Sequence, residues 1–89
     1  KVAYVAGGTR GMNLAIARAY ARMGASVVVV SRSPERCAEA ERLLREEDGA
    51  EAMGIPCDVR DYDAVAATMK ATADRFGGID IVVAGQAGN

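Results

Sequence analysis

Between an apolar run, Val2 to Ala6, and a helix-forming stretch that starts at Met12, the chain reads Gly7-Gly8-Thr9-Arg10-Gly11. Glycines at such a junction let the backbone turn sharply and approach a ligand with no Cβ in the way. The amides that open the next helix carry partial positive charge, which suits a phosphate. Pyrophosphate binding is therefore the chemistry this turn supports, with Gly7, Thr9, Gly11 and Met12 as candidate contacts and Arg10 able to lie near a further phosphate at the end of the second strand. A second candidate is Ser31-Arg32, directly after the valine run Val27 to Val30. A guanidinium beside a small hydroxyl can grip a phosphate monoester through a charge-assisted fork; the competing reading is an arginine solvated at a loop mouth. The third is Asp58-Val59. Its carboxylate can accept from an exocyclic amine while the valine packs on a ring face, or Asp58 or Asp61 simply caps a helix.

Each candidate follows a short apolar segment. Val27 to Val30 is an unbroken β-branched run, as in a strand covered on both faces of a parallel sheet. From Met12 to Met23, the residues Met12, Ile16, Ala19, Tyr20 and Met23 recur at helical spacing, with Arg18 and Arg22 on another face and Gly24 as the stop. Ser33-Pro34-Glu35 opens a second helix that ends near Gly49 and turns Cys37, Ala40, Leu43 and Leu44 inward. Glu51 to Cys57 reads as a weaker strand, interrupted by Gly54 and Pro56 and so expected at a sheet edge. Asp61 caps a third helix with Tyr62, Val65, Met69 and Phe76 on one face, Gly77-Gly78 stops it, and Ile79 to Val83 is a fourth strand. The alternation predicts an α/β fold: part of a Rossmann-type doubly wound parallel sheet in a three-layer αβα sandwich, strand order 3-2-1-4. Strand four is then an open edge.

With 89 residues the chain holds one domain at most. A net charge of −1 provides no basic field for nucleic acid or an anionic membrane, so neither is expected as a partner. Two cysteines and no histidine argue against zinc, and no apolar run approaches a membrane span. Reduced cysteines without a targeting segment point to the cytoplasm. The chain opens at Lys1 on a core strand and closes at Asn89 just after another, so residues 1–89 are expected to be the N-terminal part of a single NAD(P)-binding domain cut at both ends.

The turn lacks G-x-G-x-x-G and reads Gly7-x-x-x-Gly11-x-Asn13. In this it resembles the short-chain dehydrogenase/reductase family, whose turn is Thr-Gly-x-x-x-Gly-x-Gly. Ala6 replaces the threonine and Asn13 the last glycine. A side chain at position 13 either adds a hydrogen bond or weakens cofactor binding. At the end of the second strand, where an acid would hold the ribose of NAD, stands Arg32, which favours the 2′-phosphate of NADPH. Asp58-Val59 matches the family's Asp-Val pair, which the resemblance places against adenine. After the fourth strand the family has Asn-Asn-Ala-Gly, whereas this chain reads Ala84-Gly85-Gln86-Ala87-Gly88-Asn89. Ala84 and Gly85 can still offer backbone groups to the cofactor ribose. That ending, with Ser31-Arg32 and Cys57 to Asp61, looks more like the family's 2,4-dienoyl-CoA reductase branch.

The family's chemistry rests on a serine and a Tyr-x-x-x-Lys pair. Tyr4, Tyr20 and Tyr62 are followed four residues later by Gly8, Gly24 and Ala66, so no catalytic residue is assigned in this chain. The resemblance implies the cofactor half of an NADP-dependent oxidoreductase. It would move hydride between NADPH and a small-molecule substrate, a carbonyl or enoyl thioester, and act as a homo-oligomer at full length. The rival is a non-catalytic NADP-binding module, favoured by Asn13 and the missing asparagines. A P-loop nucleotide site is disfavoured, since no lysine follows any glycine.

Overall fold

The computed structural model describes residues 1–84. The elements alternate: β1 (Val2–Ala6), α1 (Gly11–Arg22), β2 (Ser26–Ser31), α2 (Pro34–Glu46), β3 (Ala52–Pro56), α3 (Tyr62–Phe76) and β4 (Ile81–Ala84). All strands are parallel in one sheet of order β3-β2-β1-β4. Side chains alternate across a strand, and the valine run shows it. Val27 and Val29 join Val5 in a cluster with Ala17, Ala21, Ala40 and Leu44 of α1 and α2. Val28 and Val30 join Tyr4 on the other face, against Val65, Met69 and Phe76 of α3. This is the expected Rossmann-type three-layer arrangement, and no helix among the described residues is long and apolar enough to cross a membrane.

Local chemistry sets the helix ends. The Ser33 hydroxyl accepts from the Arg36 amide at 3.2 Å with Pro34 at the first helical position, and Asp61 accepts from Ala64 at 3.2 Å. Gly77, at φ 88°, closes α3. β4 starts two residues later than the sequence suggests, because Ile79 packs in the core and Asp80 pins the strand's entry. The Asp80 amide donates to Val2 O at 2.9 Å, and its carboxylate accepts from Val2 N at 2.8 Å.

Two helix faces differ in part from the expected ones, although Tyr20 of α1 and Val65, Met69 and Phe76 of α3 pack as expected. On α1 the buried residues are Ala17 and Ala21, flanked by Leu14, whereas Met12 and Met23 are 79% and 73% exposed. Close approach of this helix to the sheet selects small side chains and leaves the long ones at its ends. On α3, Tyr62 is 83% exposed and the buried centre is Thr68 and Thr72. Both hydroxyls are satisfied. Thr72 Oγ1 donates to Thr68 O at 2.8 Å, Thr68 Oγ1 donates to Val65 O at 2.7 Å, and the Tyr4 hydroxyl lies 2.7 Å from Thr68 Oγ1. Burial pushes the Tyr4 phenol above its ordinary range.

β3 is an edge strand, as expected, but Gly54 is more than an interruption. A Cβ there would overlap the backbone carbonyl of Cys37 in α2. The edge is also covered, since Glu41 Oε1 accepts from Gly54 N at 2.9 Å and Pro56 has no amide to offer. Arg18 and Arg22, on another face of the helix as expected, clamp α1 to the segment that follows α2. The Asp48 side chain is fully buried and receives Arg18 Nε at 2.9 Å and Arg22 Nε at 3.0 Å. These guanidinium bonds hold its carboxyl below the usual carboxylate range.

Candidate functional site

Register brings the candidate residues to one end of the sheet. Ala6 of β1 is level with Val30 of β2 and Ala84 of β4, and Ser31 is level with Pro56 of β3. In an open α/β sheet, ligands bind in the crevice beyond these C-terminal strand ends.

The glycine turn leaves β1 with Gly7 at φ 69° and its amide bonded to Val30 O at 2.7 Å. Gly11, at φ 63°, opens α1. Both lie in the left-handed region where a side chain is strained. Gly8, which the sequence did not single out as a contact, is required by packing: its Cβ would lie 2.8 Å from Val29 Cγ1 and 2.9 Å from Val5 O. Arg10 occupies the N-cap in an extended conformation without a side-chain cap bond, and the first turn of α1 holds no acid. The opening amides of α1 therefore lack the side-chain acceptor that Ser33 and Asp61 give to α2 and α3. An anion seated there would supply it. Thr9 is half-buried, and Arg10 and Met12 are exposed on the turn.

Asn13 turns its side chain to the protein itself. Its Nδ2 donates to Ala6 O at 3.0 Å, so the amide folds back beneath the turn and ties α1 to the end of β1. The bond is made to the protein's own backbone.

At the end of β2, Ser31 is bound into the loop. Its carbonyl accepts from Cys57 N at 2.7 Å, and its Oγ accepts from Ser33 N at 3.3 Å. Arg32 is exposed and has no hydrogen bond or ion pair among the described residues. Asp58 is not a helix cap, since Asp61 fills that role. Its Oδ1 accepts from Arg60 N at 2.9 Å and Nε at 3.1 Å, and its Oδ2 from Arg60 Nη2 at 3.0 Å. Chiefly through these bonds its carboxyl is held at about 2. Val59 beside it is 42% exposed, an apolar surface available to a ring. Cys37 and Cys57 are free and buried. Ala84 is exposed at the end of β4, while Gly85 lies outside the described residues.

The profile of the short chain dehydrogenase family matches residues 1–89. The chain belongs to that family. It is 38% identical over 89 residues to the peroxisomal 2,4-dienoyl-CoA reductase of Rattus norvegicus, covering 100% of this chain and 30% of that protein. It is 37% identical over 83 residues to a 3-dehydrosphinganine reductase of Arabidopsis thaliana, covering 93% and 24%. Among solved structures it superimposes on L-sorbose reductase from Gluconobacter frateurii, complexed with NADPH and L-sorbose, with a TM-score of 0.89 and 38% identity over 97% of this chain and 34% of that one. The short chain dehydrogenase segment thus spans about a quarter to a third of the curated relatives it matches. Relative to the family's glycine pattern its main departure in the turn is Asn13, and the structure shows what that side chain does with its amide.

Proposed function

We propose that the chain is the cofactor-binding part of an NADP-dependent oxidoreductase that transfers hydride between NADPH and a carbonyl or conjugated enoyl thioester. The observation that carries the reading is Arg32: it is exposed at the end of β2 without a partner among the described residues, where an NAD-binding relative would place a carboxylate. The turn fits the rest of such a cofactor, with Gly7 and Gly11 at positive φ and the start of α1 uncapped. NADPH supplies the hydride when bound. Gly7, Thr9, Gly11 and Met12 would hold the pyrophosphate side, Ser31 and Arg32 the 2′-phosphate with Arg10 near it, Asp58 and Val59 the adenine, and Ala84 and Gly85 the ribose. Relatives named as dienoyl-CoA and sorbose reductases, the latter complexed with NADPH, support this class of substrate and cofactor. General acid chemistry would fall to a serine and a Tyr-x-x-x-Lys pair elsewhere in the full protein.

The test is NADPH consumption by the full chain with a panel of ketones, aldehydes and dienoyl thioesters, read together with the downstream sequence. Turnover with one of these supports the proposal. NADPH binding without turnover, in a protein lacking Tyr-x-x-x-Lys, would hand the site to the rival non-catalytic module.

A prediction attaches to Asn13. Asn13→Asp places a carboxylate against the Ala6 carbonyl and near the pyrophosphate site, so the NADPH dissociation constant should rise about tenfold, the worth of a lost bond plus like-charge repulsion. Asn13→Ala should show a smaller rise. Isothermal titration of the two variants checks the order; unchanged affinity in both would separate Asn13 from cofactor binding.

A further inference from the structure

Arg32 directly follows β2 and Asp58 lies two residues past the end of the adjacent β3, and the two chain segments are stitched together by the Cys57 N to Ser31 O bond of 2.7 Å. Opposite charges so placed attract, and an Arg32 paired with Asp58 would be lost to a phosphate ligand. The structure shows a different pairing. Arg60 takes both oxygens of the Asp58 carboxylate, at 3.1 and 3.0 Å, and its own amide adds a third bond at 2.9 Å. Arg32 still acts on Asp58, adding weakly to the lowering that Arg60 dominates, so the two are within electrostatic reach. We infer that Arg60 is a specificity-determining positioning residue: by occupying Asp58 it keeps Arg32 free for the 2′-phosphate, and so sets the preference for NADPH over NADH without touching the cofactor. The inference rests on the NADPH reading above. Arg60 uses both sites of Asp58 Oδ1 and one of Oδ2, so Oδ2 keeps one lone pair for an adenine amine.

The experiment measures dissociation constants for NADPH and NADH with the full chain in the wild type, Arg60→Ala, and Arg60→Ala combined with Asp58→Asn. Taking the ratio of the two constants removes any change in adenine binding, which both cofactors share. Arg60→Ala should lower the preference for NADPH about three- to fivefold, the range that a partly exposed ion pair controls. Adding Asp58→Asn should restore it, because no carboxylate remains to capture Arg32. A merely structural role for Arg60 would move both constants together and would not be rescued. A wild-type preference that survives Arg60→Ala, or is not recovered in the double variant, overturns the inference alone. Equal wild-type constants overturn the NADPH reading and this inference with it.

Discussion

Replacing Gly54 by alanine should cost the fold about 3 kcal/mol, the upper end of the range for overpacking a close-packed interior, and Gly54→Val should cost more. The added Cβ would meet the carbonyl oxygen and carbon of Cys37, backbone atoms that cannot swing aside as a side-chain tip can. Relief requires α2 to move off β3, which removes the Glu41 bond to Gly54 N at 2.9 Å and exposes an edge amide. The same movement shifts Cys37 beneath Ser31, since Ser31 Oγ lies 3.5 Å from Cys37 Sγ. Gly49 is the control: it stands at φ +70° with nothing within 4 Å of an added Cβ, so alanine there meets only the left-handed backbone strain of about 1–2 kcal/mol. Urea denaturation of the two variants measures the difference. A Gly54→Ala protein as stable as Gly49→Ala would mean that α2 does not approach β3 as closely as described.

Arg32→Ala should raise the NADPH dissociation constant about 10- to 100-fold while changing that for NADH less than about twofold. This follows from the roughly 1.5–3 kcal/mol that a hydrogen bond to a charged group contributes, placed on the single phosphate by which the two cofactors differ. Stability should be unaffected, because Arg32 is exposed and makes no bond among the described residues. Melting and cofactor titration of one preparation check both statements. A uniform loss of affinity for the two cofactors would place Arg32 elsewhere than at the 2′-phosphate.

Much of this architecture is legible before any coordinates. Four consecutive valines can be buried only if both faces of β2 are covered, and crossovers through helices then require parallel neighbours. The caps at Ser33 and Asp61 are local chemistry and were readable as such, although Asp58, weighed as a cap, proved to be held by Arg60. The buried faces of α1 and α3 were readable only in part: Tyr20 on α1 and Val65, Met69 and Phe76 on α3 pack as their spacing predicts, whereas Ala17, Ala21, Thr68 and Thr72 carry no such signal. Ala17 and Ala21 are chosen by the distance between helix and sheet, a tertiary quantity, and a hydrophobicity pattern ranks Met12 and Met23 above them. Thr68 is polar by type and is accommodated because Tyr4, 64 residues away in sequence, brings a hydroxyl to meet it.

At the site the same division holds. Gly7 and Gly11 are visible in sequence because a positive φ demands glycine. The direction of the Asn13 amide depends on where the turn places the Ala6 carbonyl, which no spacing encodes. The hold of Arg60 on Asp58 had a signal, an acid and a base two residues apart after a strand, but a charge pair in a loop reads equally well as solvated surface.

Binding of a phosphorylated dinucleotide at these strand ends is read out by side-by-side calorimetric titration of the full chain with NADPH and NADH. Binding should saturate at one site and be at least about tenfold tighter for NADPH, as expected for one charged contact to the added phosphate. NADH bound as tightly as NADPH, or no binding of either, would contradict it.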